Sequence, residues 1–318
     1  MRYAKDGYAM SPPLISVIIP ARNEERRIGD CLRALRECMP QDLSFELLVG
    51  DHSSSDGTAG VAKQHGATVF TLAGGTVGEL RNSLVARSQG VVLVFIDADV
   101  TVTPEWGRHI ALVVHDLEHS SLQVTGSHCR VPRSANPFID CWFGVLRHTQ
   151  ANYLGTGHLI VSRHLFSLLR GFTPGLRTGE DYDFCTRARE AGAQLIVRPE
   201  LEVIHHDYPL TAADFVRRER WHGSGDVQSL SRLLRSKVAL ASVVFIAAHL
   251  LLMAALVLRP GWAVLPLAAI LGLPLLMSIS KFNGLSLRQR LLNIGICYLY
   301  LVGRSLALLK PARPTQSW

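Results

Sequence analysis

Short apolar runs separated by polar turns dominate the chain up to about Asp207, and long apolar runs dominate it from Val238 onward. Leu14 to Ile19 is a β-branched run closed by Pro20. Its near-continuous apolar character predicts a strand covered on both faces, as in a parallel sheet. Ile28, Leu32 and Leu35 then recur at helical spacing. Phe45 to Val49, Val69 to Leu72 and Val91 to Ile96 read as further strands, with helices over Thr58 to His65 and Val77 to Arg87. Strands alternating with helices predict a doubly wound α/β sheet. Beyond Pro104 the pattern loosens. A helix is expected from Pro104 to about Leu117, with proline in its first turn, then a strand over Leu122 to Gly126 and an irregular stretch holding Trp142 and Phe143. A segment around Gly155 to Val161, a helix capped by Ser162 and a helix from Glu180 to Ala191 complete this part.

Three apolar segments close the chain: Val238 to Leu258, Trp262 to Ser280 and Leu291 to Leu309. Each has about 20 residues, which at 1.5 Å per residue is roughly the hydrocarbon thickness of a bilayer. Pro266 and Pro274 should bend the second. The third carries Arg304 and either spans or lies in the interface. The expected organisation is an N-terminal tail (1–13), a catalytic domain (14–210), a basic amphipathic juxtamembrane segment (211–237), a membrane segment of two to three helices (238–309) and a C-terminal tail (310–318).

The formal net charge is +7, and much of the excess sits in Arg217, Arg218, Arg220, Arg232, Arg235 and Lys237. A basic cluster just before an apolar run points to anionic lipid on the cytoplasmic leaflet rather than to nucleic acid. This places the domain before it on the cytosolic side of a multi-pass membrane protein. Six cysteines are scattered without a C-x-x-C pair, which suits neither a zinc site nor a disulfide framework. The opening residues MRYAKDGYAMSPP contain no apolar core of a cleavable signal peptide.

In an open α/β sheet, ligands bind at the carboxyl ends of the strands. Asp51 follows the second strand and Asp97-Ala98-Asp99 the fourth. In extended backbone residues i and i+2 point to one side, about 6.5 Å apart. Two carboxylates so placed repel unless a cation or proton intervenes. A hard divalent metal bridging to substrate phosphates is one resolution. A solvated strand end that caps the next helix is the other.

The motifs Ser16-Val-Ile-Ile-Pro-Ala-Arg-Asn-Glu-Glu25, Glu46-Leu-Leu-Val-Gly-Asp-His-Ser-Ser-Ser-Asp-Gly-Thr58, Leu80-Arg-Asn82 and Phe95-Ile-Asp-Ala-Asp99 occur in this order. With Gly171-Phe172 and Gly179-Glu-Asp-Tyr-Asp183 downstream, the chain from Ser16 to Gly192 resembles family 2 glycosyltransferases. The resemblance implies a GT-A-type doubly wound mixed sheet with a Rossmann-like nucleotide-binding half, here followed by C-terminal transmembrane helices. It implies an inverting transfer from a nucleoside-diphosphate sugar that depends on a divalent cation, Mg2+ or Mn2+. By matching position, Pro20, Arg22 and Glu24 line the nucleotide pocket, Asp51 accepts a hydrogen bond from the base, and Arg81 lies near the base or phosphates. Asp97 contacts the ribose, Asp99 holds the metal, and Asp181, beside Glu180, is the general base. His52 stands where many members have a second Asp, and Arg22 where many have Tyr.

His205 is a candidate additional metal ligand, since neutral imidazole can serve. Arg217-Arg-Glu-Arg-Trp221 resembles the Q-x-x-R-W motif of processive synthases with Arg in place of Gln. Arg220 and Trp221 are therefore candidate acceptor-side or gating residues, or part of a basic helix on the membrane. A tethered domain makes a lipid-linked acceptor an expectation. The alternatives are a processive polysaccharide synthase and an inactive scaffold that only binds nucleotide sugar.

Overall fold

The computed structural model describes residues 12–132, 134, 136–146 and 153–309. The expected C-terminal tail, and all but the last two residues of the N-terminal tail, lie outside the described residues. The first half runs β1 (Ile15–Ala21), α1 (Ile28–Cys38), β2 (Phe45–Asp51), α2 (Thr58–Gln64), β3 (Thr68–Thr71), α3 (Val77–Val85), β4 (Val92–Ile96), β5 (Val100–Val102) and α4 (Pro104–His119). It continues through β6 (Gln123–Gly126), a π-helical turn (Ile139–Phe143) leading into α5 (Gly144–Leu146), β7 (His158–Ser162), α6 (Arg163–Leu168), α7 (Glu180–Glu190), β8 (Gln194–Val197) and β9 (Val203–His205).

Seven strands form one mixed sheet in the order β3-β2-β1-β4-β7-β6-β8. β1 lies between β2 and β4, parallel to both, and β7 runs antiparallel to β4. Every residue of β1 is buried, because both faces of the sheet are covered. Val17 and Ile19 pack with Leu32, Leu35, Trp106 and Ile110 on one face. Ile18 and Phe95 pack with Leu84, Phe166, Phe172 and Phe184 on the other. This is the period-two alternation of a strand expressed as two cores. β5 and β9 form a separate antiparallel ribbon in which Val100 faces His205.

Downstream come α8 (Ala212–Asp226), α9 (Leu230–Arg235), α10 (Lys237–Leu258), a 3₁₀ turn (Pro260–Ala263), α11 (Val264–Lys281) and α12 (Leu287–Leu309). Three helices, over Lys237–Leu258, Pro260–Lys281 and Leu287–Leu309, are long and apolar enough to cross a membrane. The third therefore starts before the expected Leu291. Pro266 sits in the first turn of α11, where its missing N–H costs no helical bond, while Pro274 lies inside the helix.

The three helices are not equivalent. α10 buries Ala239, Ser242, Phe245 and Ala248, none beyond its midpoint by more than a residue, and α11 buries only Ile270, Pro274 and Ser278. Leu256, Val257, Leu258, Trp262 and Leu265 around their connecting turn are exposed. α12 is buried along much of its length, from Asn293 to Ala307. Its Ser305 Oγ donates to Ser242 O, and its Tyr298 Oη lies 3.2 Å from His249 Nε2. Over this stretch α12 runs opposite to α10. On its other side Asn293 Nδ2 donates to Cys141 O at 2.6 Å, and Trp142 packs on Phe215, Phe282 and Tyr300. α12 thus lies between the feet of an α10–α11 hairpin and the α/β domain.

Candidate active site

The carboxyl ends of β1, β2 and β4 form one edge. Parallel register sets Pro20 beside Gly50 and Ala21 beside Asp51. Just past these strand ends Asn23 and Ser53 take positive φ values of 57° and 55°, which turns the chain sharply at the edge. Asp51 is buried, with Ser54 N donating to its Oδ1 at 3.3 Å. The neighbouring His52 Nε2 lies 3.1 Å from Gly74 O. Arg22 Nη1 is buried with no hydrogen-bond partner among the described residues. Burial, and then the charges of Asp207, Asp97 and Asp56, push the Glu24 carboxyl up to about 7.

Asp97 and Asp99 lie between β4 and β5, and neither caps the following helix. Thr103 does that, accepting from Trp106 N. The β5–β9 ribbon brings His205 back beside this turn: His206 N donates to Asp99 O at 3.0 Å, and His205 Nε2 lies 3.3 Å from Asp99 Oδ2. Burial, followed by Asp97, Glu24 and Asp207, raises Asp99 well above the usual carboxylate range. Burial also lowers His205 to about 4. Both shifts favour the uncharged forms, as expected for a pair withdrawn from water.

Among the described residues no three His, Cys, Asp or Glu side chains group into a metal cage. Asp99 and His205 nevertheless supply one carboxylate oxygen and one neutral imidazole nitrogen side by side. Mg2+ and Mn2+ accept such a partial set when phosphate oxygens and water complete the coordination. The residues fit a cation shared with a bound diphosphate.

α3 starts with a capping box, Thr76 with Glu79, and carries Arg81 into the interior at 2 % exposure. Arg81 Nη2 donates to Asp97 Oδ1 at 2.7 Å and Nη1 to Glu180 Oε1 at 2.8 Å. Thr156 Oγ1 is 3.4 Å from the same Glu180 oxygen. The next residue of α3, Asn82, holds the Gly171-Phe172 motif: its Nδ2 donates to Phe172 O (2.8 Å) and its Oδ1 accepts from Phe172 N (2.9 Å). Gly171 has φ 69°, and a Cβ there would sit 2.6 Å from Asn82 Oδ1, so the close approach requires glycine.

α7 begins after Gly179 (φ 76°) with no side-chain cap. Asp181 is half-buried and accepts from Tyr182 N at 2.8 Å through Oδ1. Burial, then the adjacent Glu180 carboxylate, pushes Asp181 up to about 7. A Cβ on Gly155 would lie 3.6 Å from Asp181 Oδ2, and one on Gly157 would lie 3.3 Å from Asp97 Oδ2. The Gly155-Thr156-Gly157 loop therefore borders three carboxylates at once. Sequence reasoning passed over these glycines and Thr156; a glycine pair just before a buried strand was the available signal.

Arg220 and Trp221 lie on α8. Trp221 stacks edge-on against His222 at 4.8 Å, and the Arg220 backbone crosses close to Gly303 of α12. Phe215 and Glu219 on the same helix are buried, so its inner face is turned to protein.

Residues 16–173 match the family described as Glycosyl transferase family 2. Over 93 residues, 27% of this chain, the sequence is 39% identical to 4,4'-diaponeurosporenoate glycosyltransferase of Staphylococcus aureus. The match spans about a quarter, 24%, of that relative's length. Over 245 residues the chain is 26% identical to glycosyltransferase AglE of Haloferax volcanii, covering 72% of this chain and 79% of the relative. Among solved structures, mannosyltransferase PcManGT from Pyrobaculum calidifontis, in complex with GDP-Man and Mn2+, aligns over 95% of this chain and 88% of its own. The TM-score is 0.58 at 16% identity, a likeness of fold.

Proposed function

Because the chain belongs to glycosyl transferase family 2, we propose that it transfers one sugar from a nucleoside diphosphate to an acceptor hydroxyl with inversion at the anomeric carbon. The observation that carries this reading is the Arg81 bridge. Arg81 occupies Asp97 and Glu180 together and Arg187 occupies Asp183, which leaves Asp181 as the carboxylate in the first turn of α7 without a guanidinium partner among the described residues. Asp181 and Asp97 then border opposite ends of one three-residue loop. A donor held at Asp97 and Asp99 and an acceptor held at Asp181 would meet across it.

In this mechanism Pro20, Arg22, Glu24 and Asp51 receive the nucleoside, and Asp97 the ribose. Asp99 and His205 hold the divalent cation, which supplies charge to the leaving diphosphate when bound. The acceptor oxygen attacks the anomeric carbon from the face opposite the diphosphate and its proton passes to Asp181. The bond from that carbon to the diphosphate oxygen breaks, and the oxygen leaves with the electron pair. A carboxyl raised to about 7 by burial is matched to proton transfer near neutral pH. The α10–α11 hairpin holds the site beside a bilayer, on its cytosolic face, which favours a lipid-linked acceptor.

The test is a binding screen of the purified full chain in detergent against UDP-, GDP- and dTDP-sugars, with Mg2+ or Mn2+, followed by anomeric analysis of the product. A cation-dependent donor and an inverted product are expected. Retention of configuration, or cation-independent turnover, would overturn the corresponding part of the reading.

A further inference from the structure

α8 is a shim between α12 and the loop that leads into α7. On its α12 side, Arg304 Nε and Nη2 donate to Glu219 Oε2 at 3.2 and 3.0 Å, and Nη1 to Asp226 Oδ2 at 3.0 Å. The guanidinium also lies 4.8 Å over the Tyr300 ring. Glu219 is 2 % exposed, and its second oxygen accepts from Arg218 at 3.2 Å. The backbones touch here: a Cβ on Gly303 would stand 2.8 Å from Glu219 Cβ, and one on Gly223 would stand 2.8 Å from Ala307 Cβ.

On the opposite side, Thr178 Oγ1 donates to His222 O at 3.0 Å, and a Cβ on Gly225 would collide with that hydroxyl. Gln228, just past α8, donates to Gly175 O at 2.5 Å and accepts from Arg177 N at 3.3 Å. Residues 175–178 are thus fastened to the end of α8, and Gly179, Glu180 and Asp181 follow directly.

From this sandwich we infer that Arg304 is a positioning residue for Asp181, acting through α8 and Thr178. The inference rests on Asp181 being the base. Arg304 sets where α8 sits against α12, and α8 sets the loop that presents Asp181. Small residues on both faces of α8 leave no slack for a side chain to absorb a shift. A forked guanidinium satisfies two carboxylates of one helix together in a fixed planar geometry, which the point charge of a lysine does not reproduce. Removing it leaves Glu219 buried near Asp226 with Arg218 as its one ion-pair partner among the described residues, so α8 must move to rehydrate them.

The experiment uses the full chain in nanodiscs and follows release of nucleoside diphosphate from GDP-mannose and UDP-glucose with Mn2+, water serving as acceptor. GDP and UDP affinities are measured in parallel. Arg304→Met is expected to lower kcat about tenfold with nucleotide Kd within about twofold, because the base and not the donor is displaced. Thr178→Val, which cuts only the far end of the relay, is expected to lower kcat by about three- to tenfold, and the double variant to fall no further than about twofold below Arg304→Met. The acid limb of the kcat profile moves in both single variants, which a uniform loss of folded protein would not produce. Unchanged kcat in Arg304→Met, losses that multiply in the double variant, or kcat and Kd declining together would overturn the inference. Should Arg304→Met not fold, Arg304→Lys with Thr178→Val makes the same cycle. Asp181→Asn runs alongside: wild-type turnover there sinks the base assignment itself, whereas its loss with intact clamp variants sinks only the positioning role.

Discussion

Arg81 and Glu180, far apart in sequence, form an ion pair of 2.8 Å in the interior, with side chains only 3 % and 9 % exposed. The pair joins α3 to the first turn of α7, and the second nitrogen of Arg81 carries the link to Asp97 at the end of β4. One guanidinium therefore fixes the distance between the strand end and the helix that bears Asp181.

Arg81→Met would leave two carboxylates facing each other without their cation. Loss of one partner of a buried pair costs about 3–5 kcal/mol, so the melting temperature should fall by several degrees. Adding Glu180→Gln should recover much of the stability, since the unpaired charge is removed, but not turnover, since the spacing between Asp97 and Asp181 is no longer held. Thermal melts and donor turnover of the two variants check this. Recovery of both together would mean that the bridge serves folding only.

Turnover should require a divalent cation at Asp99. Asp99→Asn and chelation by EDTA are each expected to abolish measurable transfer. His205→Ala should weaken the apparent Mn2+ affinity about tenfold, within the range for loss of a ligand or its support. A titration of Mn2+ against donor turnover reads all three. Wild-type activity in EDTA would remove the cation from the mechanism.

Much of the strand framework was legible in the sequence, because β1, β2 and β4 are buried on both faces and their apolar runs end in Pro20, Asp51 and Asp97. The partnerships were not. Nothing in the local pattern tells that Arg81 reaches Glu180, because that contact depends on how α3 and α7 pack across the second core. His205 was readable as a histidine near a β-like run. Its place beside Asp99 came only with the β5–β9 register. The third apolar segment shows the limit of hydropathy: length and composition match a span, whereas Asn293 and Tyr300 record contacts with the α/β domain, and Arg304 contacts with α8, that composition cannot express.

Those contacts predict a topology. α10 and α11 form the hairpin, and α12 lies across its feet against the domain. A reporter fused after Trp318 should therefore fall on the same side of the membrane as one fused at Met1, the cytosolic side. The basic flanks Arg232, Arg235 and Lys237 before the hairpin, and Lys281, Arg288 and Arg290 after it, outnumber Arg259 at its tip, which predicts that orientation. Reporters on opposite sides would show that α12 crosses the bilayer as a third span.

Asp181→Asn is the sharpest test of the mechanism. At the start of a helix a carboxylate has a second role to offer, interaction with free N–H groups and the positive end of the dipole. Asp181 does accept from Tyr182 N, but asparagine can accept the same bond through its amide oxygen, so folding should persist. Proton transfer separates the two roles, because an amide cannot take a proton from the acceptor. Turnover is expected to fall about a hundredfold or more, with donor affinity and melting temperature near wild type. The pH dependence adds an independent reading. Burial and Glu180 raise the Asp181 carboxyl to about 7, so the base is protonated and inactive below that value and free above it. The wild-type rate should therefore climb through an acid limb centred near 7, well above the ordinary aspartate range. Asp181→Asn should lose that limb along with the activity. A residual rate with the limb intact would assign the proton to another carboxyl, and the elevated Glu24 would be the next residue to replace.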